Sequence, residues 1–362
     1  MSQSWKIGII GAGGISEAHL AAIREEPRAH ALAISDVNEE SARMRADRYG
    51  IPHVYTDYRE MLKRDDLDAV ILCIPNFLHS SVAIEALASG KHVLCEKPMA
   101  LNADQAMTML DAAKRAGKVL MVGQNNRFRG ESALLKRLVD QGKLGTVYHV
   151  KTGWIRRNGI PGWGSWFTSM EKAGGGPLID IGVHVLDLAL WLIGYPRPVT
   201  VFGQTYSVFG PKKKGLFAWG TVDDQGVFDV EDLAVAMIKF ENGTTLILDV
   251  SWAAHIEKDR AYVQLYGGEG GVTMDFDAGK ITLFHEEAGV PVDSVLYPGR
   301  QNDRLLLLQN FLDAAEGKAE PICRPEQGVY IHRILDAIYT SSRTGKPVTL
   351  DETDQEVRRD RG

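Results

Sequence analysis

Cysteine is scarce in this chain. Cys73, Cys95 and Cys323 are the only three in 362 residues, and none stands in a Cys-x-x-Cys pair. A scattered, odd-numbered set excludes a disulfide scaffold and fits reduced thiols in core positions of a cytoplasmic protein. No run reaches the ~18 apolar residues of a membrane helix. No basic and then apolar leader precedes the first strand, so neither export nor a membrane partner is expected. Positive charge is not in excess either. The formal net charge is -6, which argues against nucleic acid as a partner. Internal repeats and low-complexity stretches are absent. What is left is ordinary globular composition in a chain long enough, at about 150 residues per domain, for two domains.

The first third alternates strand and helix. Lys6 to Ile10 is short, apolar and β-branched, and Gly11-Ala12-Gly13-Gly14-Ile15-Ser16 follows at once. A strand, a glycine turn and a helix N-terminus form a dinucleotide phosphate cradle. Gly11 allows the turn, Gly13 lets the backbone approach a pyrophosphate, and Gly14 and Ile15 open the helix whose free N–H groups face the anion. Ser16 takes the place of the usual third glycine and is small enough for close helix–strand packing. The next strand, from His30 to Ser35, ends in Asp36. An acid about 20 residues past the glycine turn accepts from ribose hydroxyls and repels a 2′-phosphate, favouring NAD over NADP. The alternative is that Asp36 is only a helix N-cap.

Asp68 to Ile74 is a continuous apolar strand of the kind buried in a parallel sheet, and it runs into Pro75-Asn76-Phe77-Leu78-His79. Pro75, Asn76 and His79 lie where ligands bind in open α/β sheets. His79 is either a cofactor contact or a helix-capping or surface histidine. A further strand ends in Cys95-Glu96-Lys97-Pro98. Pro98 disfavours helical geometry at Lys97 and permits a cis bond. Lys97 is either a cleft residue or a solvated loop lysine neutralised by Glu96. A helix and a strand ending at Val122 complete a doubly wound parallel sheet.

The pattern changes after Gln124, so residues 1–124 are expected to bind dinucleotide and residues 125–362 to bind substrate and to oligomerise. Strands at Thr146 to Lys151, Val199 to Tyr206, Asp232 to Phe240, Thr244 to Trp252 and Ala261 to Tyr266 imply a large, open, mostly antiparallel sheet, with an Asn242-Gly243 hairpin. Arg156 to Phe167 is aromatic, basic and glycine-rich, and reads as an ordered loop. Arg156, Arg157, Trp163 and Trp166 are candidates for substrate contact, with loop packing or a subunit contact as the alternative for the tryptophans. Asn126, near the domain boundary, is a further candidate. Gly174-Gly175-Gly176-Pro177 leads into an apolar helix, Leu178 to Gly194, in which only Asp180, His184 and Asp187 are ionisable. Their spacing places them on one stripe. Such a stripe serves a buried structural network, a metal or acid/base work. No His or Cys cluster supplements it, so no metal is expected. Lys212-Lys213-Lys214 is a solvated turn, and the charged tail from Asp351 is expected to fray.

Together these residues resemble the glucose–fructose oxidoreductase / inositol dehydrogenase family. The carriers are Gly11-x-Gly13, Pro75-Asn76-x-x-His79, Glu96-Lys97-Pro98, Val122-Gly123 with Arg127-Phe128, and Gly174-Gly175-Gly176 followed by Asp180-x-x-x-His184. The resemblance implies a Rossmann domain plus an α/β domain whose sheet joins dimers or tetramers. It also implies oxidoreduction of a sugar, cyclitol or related polyol with a pyridine nucleotide. Lys97, Asp180 and His184 match the family's catalytic positions. Alternatives within the superfamily are an NAD-dependent glycoside hydrolase, a non-catalytic sensor of nucleotide and sugar, and a hydride exchanger with permanently bound NADP.

Overall fold

A computed structural model describes residues 4–216 and 220–350; the charged tail lies outside the described residues. The chain divides into two compact units, one of residues 1–128 and 302–330, the other of 129–301 and 331–362.

In the first unit the elements run β1 (Trp5–Ile10), α1 (Gly14–Glu25), β2 (Ala29–Ser35), α2 (Glu39–Tyr49), β3 (His53–Tyr55), α3 (Tyr58–Leu62), β4 (Ala69–Leu72), α4 (Asn76–Ala88), β5 (His92–Cys95), α5 (Ala103–Ala116) and β6 (Leu120–Val122). The six strands form one sheet in the order β3-β2-β1-β4-β5-β6, and every pair is parallel. The doubly wound sheet read from the sequence is therefore present. Strand order reverses between β1 and β4, so the loops after them flank the crevice where such sheets take ligands. β4 is buried along its whole length, as expected of a strand covered on both faces. Cys73, Cys95 and Cys323 are buried free thiols, and burial pushes those of Cys73 and Cys95 well up.

A single cut at residue 124 does not describe the unit. A short 3-10 turn (Asn125–Phe128) and residues 302–330 also belong to it. Leu307, Leu308, Phe311 and Leu312 enter the same core as Ile7, Ile9 and Leu20. Polar contacts ring that seam: Trp5 Nε1 donates to Glu316 at 2.8 Å, Arg28 to Asp313 at 2.5 Å and Asn302 to Glu25 at 2.9 Å. The sequence distance hides this packing, because a helix that returns after 170 residues carries no local mark of its partner.

The second unit contains α6 (Gly130–Asp140), β7 (Val147–Ile155), α7 (Met170–Ala173), a π-helical turn (Leu178–Gly182) continuing into α8 (Val183–Leu192), and then β8 (Pro198–Tyr206), β9 (Leu233–Phe240), β10 (Thr245–Ser251), β11 (Arg260–Gly267), β12 (Gly271–Asp275), β13 (Lys280–Glu287) and β14 (Val290–Leu296). α9 (Asp303–Ala315) lies in the first unit, the division falls within α10 (Pro325–Thr344), and β15 (Val348–Thr349) closes the sheet. The nine-stranded sheet has the order β14-β13-β12-β11-β7-β10-β9-β8-β15. Among the described residues of this sheet only β7 and β10 pair in parallel. The Asn242-Gly243 hairpin forms, with Gly243 at φ 86°. β12 to β14 were not foreseen, although the turns at Gly279 and at Ala288-Gly289 carry the positive φ of tight hairpins.

The stretch Met170–Leu192 is long and apolar enough by composition to cross a membrane, yet 83% of its apolar window is buried inside the protein. Averaged hydropathy picks out what a count of unbroken apolar residues passes over. It is a core helix, apolar nearly all round because it is covered nearly all round.

Gly11 has φ 99°, and a Cβ there would lie 2.3 Å from the Cys73 carbonyl oxygen. Neither backbone can move without breaking the β1–β4 ladder. Gly11→Ala is expected to cost at least ~2 kcal/mol of stability, read from chemical denaturation of the purified protein.

Candidate active site

The glycine turn of the first unit is open where a ligand would lie. Gly13, Gly14 and Ile15 are exposed, and α1 starts without a side-chain cap. A Cβ on Gly13 or Gly14 would meet nothing within 4 Å, so packing within the chain does not demand glycine there. A dinucleotide pyrophosphate seated on the helix N-terminus does, and the residues fit that group. Ser16 is buried and donates to the Gly13 carbonyl at 2.6 Å, which tightens the turn. Asp36 is not the cap of α2; Asn38 is, accepting from Ser41 N–H. One Asp36 oxygen accepts from Ala12 N–H at 2.6 Å and the other from Asn38 N–H at 2.8 Å. The carboxylate is thereby held beside the turn with lone pairs left for ribose hydroxyls.

Pro75 is the N-cap of α4 and Asn76, its first residue, is buried. His79 is neither a surface residue nor a cap. It is 1% exposed, with Nδ1 2.7 Å from the Pro98 carbonyl and Nε2 2.9 Å from the Ile74 carbonyl. Both ring nitrogens thus face the protein, and a direct polar contact with a cofactor is not what this geometry offers. His79 instead ties the loop after β4 to the Lys97–Pro98 turn, whose peptide bond is cis. Burial pushes its pKa down, against two carbonyls that favour the protonated ring.

Glu96 is likewise committed within the unit. It is buried, and its carboxylate accepts from Arg304 and, at 2.7 Å, from His19 Nε2. Its second oxygen accepts from Lys97 N–H at 3.1 Å. Burial opposes its charge, but the Arg304 guanidinium and the His19 bond outweigh it and hold the carboxyl far below the usual range. Burial pushes His19 down, and its Nδ1 has no partner, so the neutral ring protonated on Nε2 fits best. Glu96 therefore does not act as a neutralising partner for the Lys97 side chain alone. It is the anchor of the loop from which the half-buried Lys97 projects. Asn126 and Arg127 are buried in the 3-10 turn, where Arg127 Nη1 donates to Ile322 O at 2.5 Å and Gln327 Oε1 at 2.6 Å.

In the second unit, the π turn and α8 are buried from Leu178 to Leu190 except at Asp180 and His184. Asp180 accepts from Trp252 Nε1 at 2.9 Å, and Trp252 is fully buried. The His184 ring lies 5.9 Å from that of Trp154, and the Arg156 guanidinium sits 5.2 Å over the other ring of the pair, Trp154. Asp187 falls away from the stripe: it is buried and accepts from the Tyr195 hydroxyl at 3.3 Å. Arg157 is exposed; its backbone N–H donates to Asp259 and its Nη1 to the Glu257 carbonyl at 3.2 Å. Trp163 takes the packing alternative. Its ring is 8% exposed in a cluster with Ile181, Val230 and Trp252, and its N–H donates to the Gly210 carbonyl at 2.8 Å. Trp166 is half-buried and stacked on Phe167. Lys212, Lys213 and Lys214 are exposed, as expected of a solvated turn, and Lys213 also pairs with Asp224 at 2.6 Å and lies over the Trp163 ring.

Sequence reasoning missed Trp252 and Glu231, and with them Trp154, His19, Arg304 and Tyr339. Glu231 is buried, accepts from Gly176 and Leu178 N–H and from Tyr339, and is pushed up to about 7 by burial, against those donors. A buried acid beside Asp232 at a strand start was the available signal.

Residues 5–124 match the model of the GFO/IDH/MocA oxidoreductase family with its NAD-binding Rossmann fold, and residues 132–273 match that family's C-terminal domain. The chain belongs to this family of oxidoreductases. It is 33% identical over 360 residues to D-glucoside 3-dehydrogenase of Escherichia coli K12, covering 96% of this chain and 98% of that one. It is 26% identical to myo-inositol 2-dehydrogenase of Thermotoga maritima, covering 96% and 99%. A solved levoglucosan dehydrogenase in complex with NADH and levoglucosan superposes with a TM-score of 0.86 at 25% identity, covering 97% of this chain and all of the other.

Removing the Arg304 guanidinium leaves a buried Glu96 charge without its cation. Arg304→Ala is expected to cost ~3–5 kcal/mol at neutral pH, measured by urea unfolding. The sign with pH follows from the depressed pKa: the wild-type contribution is present above about 4.5 and is lost as the pH falls further. The variant's acid limb is expected to be flatter.

Proposed function

We propose that this oxidoreductase interconverts a secondary hydroxyl and a ketone on a sugar, inositol or related polyol, using NAD. The observation that carries the reading is the Asp180–His184 pair, the two accessible positions in the otherwise buried stretch from Leu178 to Leu190. When bound, NAD supplies the hydride acceptor for oxidation of a carbinol carbon. An imidazole nitrogen of His184 takes the hydroxyl proton. Lys97 Nζ is a cationic donor of the kind that stabilises negative charge developing on a substrate oxygen. Asp180, oriented by Trp252, accepts from a neighbouring substrate hydroxyl or orients the imidazole. Arg156 and Trp154 supply a cation and an aromatic face that suit the hydroxyls and C–H face of a sugar ring. Asp36 supports NAD rather than NADP.

The partner of the second unit is a further copy of this chain, as a dimer or tetramer. The open face of its sheet supports this, since Phe202 and Met237 are 47% and 48% exposed and lie directly opposite each other across β8 and β9. Buried free thiols support a reducing, cytoplasmic setting.

A panel of inositols, glucosides, aldoses and anhydro-sugars, followed by NADH absorbance, tests the reaction. At least one is expected to yield NADH; release of free sugar with no net NADH would point to hydrolysis instead. Lys97→Ala and His184→Ala are each expected to lower kcat at least ~100-fold while NADH affinity stays within about twofold. Wild-type turnover in either would remove the role assigned to that residue. Met237→Glu is expected to shift the molecular mass by light scattering toward the monomer.

A further inference from the structure

The π turn that carries Asp180 starts in an unusual way. Three glycines and a proline precede it, and its N-cap, Pro177, makes no side-chain cap bond. Pro177 has no N–H, so the turn's first free donors are the N–H groups of Gly176 and Leu178. Both go to one carboxylate. Glu231 Oε2 accepts from Gly176 and Oε1 from Leu178, each at 3.0 Å, and Oε1 also accepts from the Tyr339 hydroxyl at 3.0 Å.

The glycines follow from that grip. A Cβ at Gly176 would lie 1.9 Å from the Glu231 carbonyl oxygen, and one at Gly175 would lie 1.9 Å from the Tyr339 hydroxyl. The backbone approaches this closely only because both side chains are missing. The middle of the turn is tied separately, by Trp252 Nε1 on Asp180. A turn held at its start and its middle has one register, and the register decides which residues of a buried helix face outward. Between Leu178 and Leu190 those residues are Asp180 and His184.

We propose that Glu231 is a positioning residue whose carboxylate, braced by Tyr339, sets the register of the 176–182 turn and so aims Asp180 and His184. The inference rests on the reading of His184 as the proton acceptor, and it assigns Glu231 no contact with substrate. The carboxylate is required as such, because it presents lone pairs on both oxygens. An amide of the same shape offers one acceptor and turns an NH2 group toward the other backbone N–H.

The test uses the full-length protein with a sugar from the panel above. Glu231→Gln and Tyr339→Phe are compared with wild type in kcat, KM and NADH affinity. Histidine-labelled NMR reports the His184 ring, assigned by the signal lost in His184→Gln. For Glu231→Gln we expect kcat to fall ~30-fold, with KM and NADH affinity within about threefold and the His184 resonance moved while those of His19 and His79 stay. Tyr339→Phe, which loses one bond of three, is expected to fall ~3-fold with a smaller shift of the same resonance. A Glu231→Gln protein with kcat within twofold of wild type, or with His184 at its wild-type position, overturns the proposal. So does a loss of activity that only follows a loss of folded protein. If Glu231→Gln does not fold, Tyr339→Phe decides: wild-type kcat and an unmoved His184 signal overturn the proposal, and both effects support it. If His184→Ala proves fully active, the catalytic reading fails, and the NMR comparison still decides whether Glu231 aims that helix.

Discussion

Burial of the Glu96 carboxylate is the constraint on which the first unit's site depends. A buried charge is tolerated only if donors surround it, and here the donors come from far apart in the chain. His19 sits on the helix that follows the glycine turn, and Arg304 sits on a helix that joins the unit after eight of the second sheet's nine strands in chain order. Holding the carboxylate therefore fixes the turn after β5, the start of α1 and the docking of α9 together. Gly123 belongs to the same arrangement, since a Cβ there would press on Glu96 from 3.2 Å. Lys97 is aimed by this scaffold and by His79, which clasps the carbonyl beyond the cis bond.

The second unit uses the same physics at the start of β9. Successive residues there point to opposite sides, so two adjacent acids hold two different segments. Glu231 takes the N–H groups that open the π turn, while Asp232 takes those of Val208, Phe209 and Gly210. Each carboxylate satisfies backbone donors that helix and sheet leave over. Irregular backbone in this unit is thus ordered by specific acids.

Much was legible in the residues. The glycine turn after a β-branched strand, the acid after the second strand and the buried strand before Pro75 are local signals whose meaning depends on neighbours within a few residues. The same holds for the apolar helix interrupted by Asp180 and His184. Other readings failed for want of a partner. His79 looked like a ligand contact because nothing nearby in sequence shows that two carbonyls occupy its ring. Trp163 looked like a sugar platform because its packing against Val230 and Trp252 joins residues about 70 to 90 positions apart. The stripe of Asp180, His184 and Asp187 was read from spacing alone, which does not show that Asp187 is buried with the Tyr195 hydroxyl as its donor.

Sequence alone determined the class of the protein. Periodicity, turn chemistry and the order of short motifs specify a Rossmann unit for NAD, an open-sheet unit and the residues around which the chemistry is arranged. These are properties of short windows, where backbone preference and side-chain type act directly. Tertiary structure decided which polar groups are free to work and which are spent on holding the fold. Glu96, His79 and Trp163 each proved to be engaged by distant residues, while Arg304, Trp252 and Tyr339 acquired roles that no local pattern announces. The reason is that hydrogen bonds to buried polar groups must be completed from wherever the fold brings a partner, and that partner is set by packing over the whole chain.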